Sequence, residues 1–212
     1  MPVVKSVITA GTHRDISFLI DFLPSYLFPH GEQTIKRWML AGISLGGHAT
    51  WYALQHGECS LDLWFGMGQM ELRLAEPRLS VGIPVIGCPD YLALMHGRAK
   101  ASGLQLGPPT FPDSLLEVIK RESPVCTPVA GRNPFFGKKV LVLAGGKDEL
   151  VPWVLSEPFV EQIDVGEDGV KKVVVYPDVG HAFTASMEED VANFVWEEGC
   201  LSGERGSVST RL

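Results

Sequence analysis

Four short apolar segments constrain the fold of this chain more than any other feature of its sequence. They span Arg37 to Gly42, Val81 to Gly87, Val140 to Ala144 and Val173 to Tyr176. Strands of a parallel sheet that is covered on both faces are apolar continuously rather than in alternation. Segments with a helical pattern lie between them. This alternation predicts an α/β domain with a mainly parallel sheet flanked by helices.

The helices are predicted from apolar stripes and from residues that begin or end helices. A stripe of apolar residues predicts a first helix from Thr12 to about Leu27, with a kink or an early end at Pro24. The other predicted helices run from Gly46 to His56, from Ser156 to Ile163, and from the capping-box spacing of Ser186 and Glu189 to Gly199. The segment from Leu61 to Leu79 is apolar and aromatic, and the sequence assigns it to neither type of element.

The stretch from Cys88 to Gly137 interrupts this alternation. It holds seven of the 15 prolines and one clear helical pattern, from Asp113 to Arg121. A long irregular connection between two strands of a parallel sheet often covers a site, so we expect a small cap-like insertion at about 88–137. Residues 1–200 are expected to form a single domain, and the small, polar residues 201–212 a flexible tail.

The charge and the cysteines of the chain argue against several classes of protein. With 18 basic and 25 acidic residues, the formal net charge is -7 and the basic residues are scattered, which argues against a nucleic-acid partner. No apolar run approaches the ~18 residues that a membrane helix needs, and the first residues do not resemble a secretory signal. The four cysteines lack C-x-x-C spacing, so we expect free thiols and a cytoplasmic location.

The segment Gly42-Ile-Ser-Leu-Gly46 matches the pattern G-x-S-x-G. An apolar strand precedes it and an amphipathic helix follows, which is the strand–turn–helix setting of a nucleophile elbow. The glycines on either side are expected to let neighbouring backbone and the helix start approach closely. Because a helix N-terminus favours negative charge, we expect Ser44 to be the nucleophile and the N–H of Leu45 to be an oxyanion donor.

A serine hydroxyl needs a base, and the base needs a carboxylate that orients it. Of the six histidines, His181 follows the last predicted strand and therefore lies at the same sheet edge as Ser44. Asp148 follows the preceding strand and can approach the imidazole from behind. These two residues are the preferred base and acid.

Three other residues compete for these roles. His48 adjoins the elbow and is the alternative base, although a residue on the first turn of the helix would have difficulty reaching the hydroxyl from the correct side. Asp178, three residues before His181, is the main alternative acid, and Glu149 is a lesser one.

Three blocks occur in the order serine, aspartate, histidine: Gly42-Ile-Ser-Leu-Gly-Gly-His48, Gly146-Lys-Asp-Glu-Leu-Val-Pro152 and Gly180-His-Ala-Phe183. On these blocks the chain resembles the α/β-hydrolase superfamily of serine hydrolases, over roughly Thr12 to Glu198. It is most similar to the dienelactone-hydrolase and prolyl-oligopeptidase-like branch and to small fungal serine hydrolases within it. That family has four more strands before the nucleophile, so the resemblance implies an N-terminally shortened sheet. The loop that holds the second oxyanion donor is not identified.

The resemblance implies a serine hydrolase that cleaves an ester, thioester or similar acyl bond through an acyl-enzyme, with Ser44, Asp148 and His181 as its triad. No cofactor or metal is implied. Three apolar residues of the insertion are expected to contact a small-molecule acyl substrate: Tyr91, Leu92 and Met95. The alternative is a hydrolase-like binding protein without turnover, or a shortened gene product. The missing strands favour this alternative, and the intact triad opposes it.

The strand that ends at Gly42 is expected to lie at an open edge of the sheet. Upstream of it, the sequence allows only a short strand at Val3 to Ile8. Unpaired N–H and C=O groups at an edge favour pairing with another chain, and Trp38, Met39 and Leu40 would add an exposed apolar patch. We therefore expect a homodimer in which the surface near residues 1–42 is buried across a two-fold axis.

Overall fold

The computed structural model describes residues 2–55, 57–65, 68–74, 78–125 and 133–200. Within these ranges the strands are β1 (Trp38–Ile43), β2 (Gly57–Phe65), β3 (Gly68–Leu74), β4 (Leu79–Val85), β5 (Lys139–Gly145) and β6 (Val170–Tyr176). The α-helices are α1 (Pro2–Leu27), α2 (Leu45–Gln55), α3 (Tyr91–Ala101), α4 (Asp113–Glu122), α5 (Glu157–Gln162) and α6 (Ala185–Phe194). A 3-10 turn (Trp153–Leu155) precedes α5, and a π-helix (Val195–Cys200) follows α6.

Four of these strands form a parallel sheet in the order β1-β4-β5-β6. Within it, Val140 of β5 lies beside Gly82 of β4 on one side and Lys171 of β6 on the other. All four predicted strands belong to this sheet, and helices flank it. The predicted α/β class is therefore confirmed.

The sequence did not reveal where β6 begins, because two lysines precede its apolar run. The strand starts at Val170, three residues before the apolar run. The ammonium group of Lys171 donates to the carbonyl oxygens of Val160, Glu161 and Ile163 at 3.1, 3.1 and 2.7 Å. The last carbonyl groups of a helix receive no hydrogen bond from within the helix. The side chain of Lys171 therefore supplies donors to the end of α5, while its backbone stays in the sheet.

The segment that the sequence left unassigned contains an antiparallel pair of strands. β2 and β3 form a two-stranded sheet of their own, in which Asp62 is paired with Glu71 and Leu63 with Met70. Leu79, at the end of that segment, is the first residue of β4.

The first helix is longer than its pattern predicted. α1 begins at Pro2, so the short strand expected at Val3 to Ile8 is wrong, and Pro24 lies inside the helix. The helix ends at Leu27 only three residues after that proline, where the N–H of Phe28 donates to the carbonyl oxygen of Pro24 at 2.8 Å. Tertiary packing holds the helix in place, because Ile20 is buried against Ala53 and Leu79.

Two helix starts differ from the sequence prediction. α6 is capped by Thr184, whose hydroxyl oxygen accepts from the N–H of Met187 at 3.3 Å, and not by Ser186. α3 was not predicted at all. Its cap is Asp90, whose carboxylate accepts from the N–H of Ala93 at 2.8 Å. In both cases a side-chain acceptor satisfies an N–H that the helix leaves open.

The continuous apolar character of the central strands follows from their burial on both faces. In β5, Val140 and Val142 pack with Trp51 and Leu54 of α2. The alternate residues of β4 and β5 pack on the opposite face with Met187 and Phe194 of α6, and they are Val81, Ile83, Val85, Leu141 and Leu143. Each buried aliphatic side chain contributes roughly 1.5–3 kcal/mol.

The insertion between β4 and β5 has an apolar cluster of its own at the carboxyl ends of the strands. Its buried members are Cys88, Tyr91, Leu94, Met95, Ala99, Phe111, Leu115 and Ile119, and they pack with Val151 from the loop after β5. The described part of the insertion therefore lies against the same edge of the sheet as the end of β1. Its residues 126–132, like the expected tail at 201–212, lie outside the described residues.

Cys88, which is buried, and Cys200, which is exposed, are free thiols, whereas the side chains of Cys59 and Cys126 lie outside the described part of the chain. The cytoplasmic location expected from cysteine spacing stays a prediction. In the described ranges, no helix has the length and apolar character needed to cross a membrane.

The first turn of α2 lies in close contact with the end of β4. A Cβ atom added at Gly47 would lie 2.6 Å from the carbonyl oxygen of Val85 and 2.9 Å from the Cα atom of Gly87. Both neighbours are backbone atoms and cannot move aside independently. The neighbouring Gly46 has nothing within 4 Å of the same added atom.

The replacement Gly47→Ala is therefore expected to lower the free energy of unfolding by about 1–3 kcal/mol through overpacking. Gly46→Ala should leave it unchanged or raise it by up to about 1 kcal/mol, because alanine is the better helix former. Urea denaturation of both variants measures the difference. Equal stability of the two variants would contradict this packing of α2 on β4.

Candidate active site

Ser44 lies on the turn between β1 and α2, in the left-handed region of backbone conformation with φ 55°. Non-glycine residues rarely adopt this conformation, which costs energy and commonly marks functional sites. The turn is held by two hydrogen bonds: the N–H of Ser44 donates to the carbonyl oxygen of Val85 at 2.9 Å, and the N–H of His48 donates to that of Ser44 at 3.0 Å.

At only one of the two glycines of the motif do neighbouring atoms leave no room for a side chain. A Cβ atom at Gly42 would lie 2.2 Å from the carbonyl oxygen of Gly46, so a larger residue cannot stand there. The expectation that Gly46 also needs to be small is wrong, because its own added Cβ would meet nothing within 4 Å.

His181 lies in the loop after β6, and its Nε2 atom is 2.8 Å from Oγ of Ser44. Its Nδ1 atom is 2.8 Å from Oδ2 of Asp148, which follows β5. Because a carboxylate can only accept, Nδ1 carries the proton and Nε2 accepts from the serine hydroxyl. The three residues thus form one hydrogen-bonded chain from three separate strand ends.

The carboxylate of Asp148 is fully buried and satisfied at both oxygens. While Oδ2 accepts from His181, Oδ1 accepts from the N–H groups of Leu150 and Val151 at 2.9 and 2.8 Å. The side chain of Asp148 is 0% exposed, against 22% for that of His181. A buried charge is tolerated when donors surround it, and these donors also fix the direction of the carboxylate.

The competing acids and base do not join this chain. Asp178 accepts from Nζ of Lys147 at 2.6 Å, and its side chain is 85% exposed. Glu149 is exposed. His48 is buried, and its Nδ1 atom accepts from the N–H of Cys88 at 2.8 Å.

Two of the three predicted substrate contacts are part of the core of the insertion. Tyr91 and Met95 are 1% and 3% exposed, which leaves little side-chain surface for a ligand. Leu92 is half-buried at the margin of the same cluster. The insertion pattern identified apolar residues correctly but could not distinguish those that pack inward from those that face outward.

One contact near the site had no signal in the sequence. Arg98, on α3, donates from Nη2 to the carbonyl oxygen of Leu150 at 2.7 Å, across 52 residues of chain. With Val151 buried in the insertion cluster, this bond fixes the loop that carries Asp148. Leu150 belongs to the block Gly146 to Pro152, but Arg98 belongs to no recognisable motif, and the contact depends on how the insertion folds back.

The buried thiol near the site is not a competing nucleophile. Burial raises the pKa of Cys88 to about 11, so this group is a neutral thiol near pH 7.

Leu45 begins α2, and its N–H is therefore among those without an acceptor inside the helix. In the part of the chain that the structure describes, no group of three or more histidine, cysteine or acidic side chains could hold a metal ion.

Comparison of this structure with solved structures gives matches across most of the chain. Puromycin hydrolase matches with a TM-score of 0.54 and 15% identity, covering 84% of this chain and 24% of that protein. A bifunctional GH43-CE protein of Bacteroides eggerthii matches with a TM-score of 0.51 and 17% identity, covering 86% and 26%. An esterase of Pyrococcus furiosus matches with a TM-score of 0.50 and 16% identity, covering 86% and 60%.

This chain thus spans about a quarter of the length of the first two proteins and 60% of the third. At these identities the likeness concerns the fold. No protein-family model and no curated protein matches the sequence.

Proposed function

Because the chain has the fold of the α/β-hydrolases, we propose that it is a serine hydrolase with Ser44, His181 and Asp148 as its catalytic triad. The observation that carries this proposal is the hydrogen-bonded chain from Oγ of Ser44 through the imidazole of His181 to Asp148, with both links at 2.8 Å. The strained backbone of Ser44 supports it, because such strain commonly marks functional sites.

In the proposed reaction, Ser44 attacks the carbonyl carbon of an acyl substrate while Nε2 of His181 takes its proton. His181 then gives this proton to the leaving group, and a water molecule, deprotonated by the same imidazole, releases the acyl group from the serine. Asp148 holds the proton on Nδ1 and stabilises the imidazolium. The N–H of Leu45, at the start of α2, donates to the oxyanion.

The proposed substrates are small molecules with an ester, thioester or similar acyl bond. Serine triads carry out acyl transfer, and among the similar structures one is an esterase and another a hydrolase. The insertion supports a role in substrate choice, because its cluster packs at the edge of the sheet where Ser44 lies. Leu92 is its proposed contact, since it retains exposed surface.

We also propose that the protein forms a homodimer through β1. This strand is at one end of the main sheet and pairs only with β4 among the described strands. Met39 and Ile43 on this strand are 42% and 47% exposed. An edge strand with exposed apolar side chains favours pairing with another chain, and a two-fold axis lets one surface cover its copy.

A fluorophosphonate probe, which reacts only with an activated serine, is expected to label the wild-type protein at Ser44. Ser44→Ala should abolish the labelling and reduce hydrolysis of p-nitrophenyl acetate by at least ~10⁴-fold, as expected for loss of the nucleophile. Peptide mapping of the labelled protein identifies the site. A folded wild-type protein that resists the probe would favour the alternative, a hydrolase-like binding protein.

The acid is tested by comparing two aspartates that both lie near His181 in sequence or space. Asp148→Asn should reduce the rate of hydrolysis by on the order of 10⁴-fold, because the imidazole loses its required tautomer. Asp178→Asn should change it by about threefold at most, since its ion pair with Lys147 is exposed. A larger effect at Asp178 would reverse the assignment.

The assembly is tested by light scattering at micromolar concentration, where a dimer is expected. Met39→Lys should convert the protein to a monomer, because a charge on an edge strand opposes pairing. Val173→Lys is the matched control on β6, the strand at the opposite end of the sheet, where Val173 is 39% exposed. A monomeric wild-type protein, or dissociation by the β6 variant alone, would refute pairing through β1.

A further inference from the structure

His48 is a buried titratable residue beside the site that the proposed reaction does not use. It is 3% exposed and lies one helical turn after Ser44. Its Nδ1 atom is 2.8 Å from the backbone nitrogen of Cys88 and 2.9 Å from that residue's carbonyl oxygen. A backbone N–H can only donate and a carbonyl oxygen can only accept, so Nδ1 bonds to one of the two according to its tautomer. In the tautomer that carries its proton on Nε2, Nδ1 accepts from the N–H of Cys88.

This bond connects two segments that are 40 residues apart in sequence. Cys88 stands at the beginning of the insertion, two residues after a turn at Ile86, which has φ 43° and is 3% exposed. A positive φ is exceptional for a β-branched residue. The turn is held on the other side by the N–H of Ile86, which donates to the carbonyl oxygen of Leu143 at 2.7 Å.

Residues 85–88, which contain this turn, contact the elbow with both of their ends. At one end, the carbonyl oxygen of Val85 accepts from the N–H of Ser44 at 2.9 Å. At the other end, the N–H of Cys88 donates to His48 at 2.8 Å. Residues 85–88 therefore hold the first turn of α2 at two points, one before and one after the N–H of Leu45.

We propose that His48 is a positioning residue, which fixes the nucleophile and its adjacent oxyanion donor by anchoring the first turn of α2 to the start of the insertion. This inference rests on the proposed function. Without the bond, the N–H of Cys88 is buried without an acceptor, and relieving that state requires the two segments to separate or to admit water. Ser44 and Leu45 move with the helix, so the chemical step suffers more than the binding of substrate.

Two nearly isosteric variants isolate the hydrogen bond. In His48→Asn, Oδ1 stands in the same covalent position as Nδ1 and can accept from Cys88. In His48→Leu, a methyl group stands there and cannot accept. Both variants lose the edge-to-face contact between the rings of His48 and Tyr91, whose centroids are 5.6 Å apart. The two variants differ at both branch atoms of Cγ, and Oδ1 of asparagine is the one that can accept from the N–H of Cys88.

The expected result with p-nitrophenyl acetate is that His48→Leu lowers kcat by roughly 10- to 100-fold and changes KM by less than about threefold. His48→Asn should remain within about threefold of wild type for both constants. The rate at which the fluorophosphonate inactivates the protein should follow kcat. Cys88→Ala is the matched control, because it removes the buried thiol but keeps the backbone N–H, and it should behave as wild type.

Amide hydrogen exchange of the peptide that contains Ser44 to Gly47 gives a readout that does not depend on activity. Exchange should be faster in His48→Leu than in His48→Asn or Cys88→Ala. If His48→Leu fails to fold, His48→Phe keeps a ring and likewise lacks the acceptor, and it should show the same losses. Equal rates and equal exchange in the asparagine and leucine variants would overturn the inference. A wild-type protein that neither hydrolyses the ester nor reacts with the probe would instead refute the proposed function, and exchange alone would then decide whether His48 anchors the turn.

Discussion

The burial of β4 and β5 on both faces is the constraint on which the rest of the structure depends. Helices α2 and α5 cover one face and α6 covers the other. The strands of this sheet run parallel, so all their carboxyl ends open at one edge. Ser44, Asp148 and His181 each follow a different strand of this sheet and therefore meet there.

The geometry of the proposed triad depends on which groups can only donate and which can only accept. Asp148 accepts from two backbone N–H groups and from His181, and this arrangement leaves the imidazole in a single tautomer. In the proposed reaction Nε2 of His181 takes a proton from Ser44, and the positive charge that then forms faces a buried carboxylate.

The insertion contributes to this geometry from two sides. Arg98 and the cluster around Val151 hold the loop of Asp148, and the start of the insertion holds the turn of Ser44 through His48. Asp148 and Ser44 are thus both supported by a segment that belongs to neither of the strands that they follow. A change in the packing of the insertion would therefore alter the alignment of the whole site.

The sequence by itself determined the strands of the sheet, the elbow and the sheet edge at which three polar residues meet, because these depend on local patterns and on the general geometry of parallel strands. Only the tertiary structure showed which of Asp148 and Asp178 contacts His181, since the aspartate nearer in sequence pairs with Lys147 in solvent while the more distant one lies buried behind the imidazole. The sequence could not predict that Tyr91 and Met95 pack inward, nor which residue His48 contacts. In each case the outcome depends on contacts with residues far along the chain, which no local pattern records.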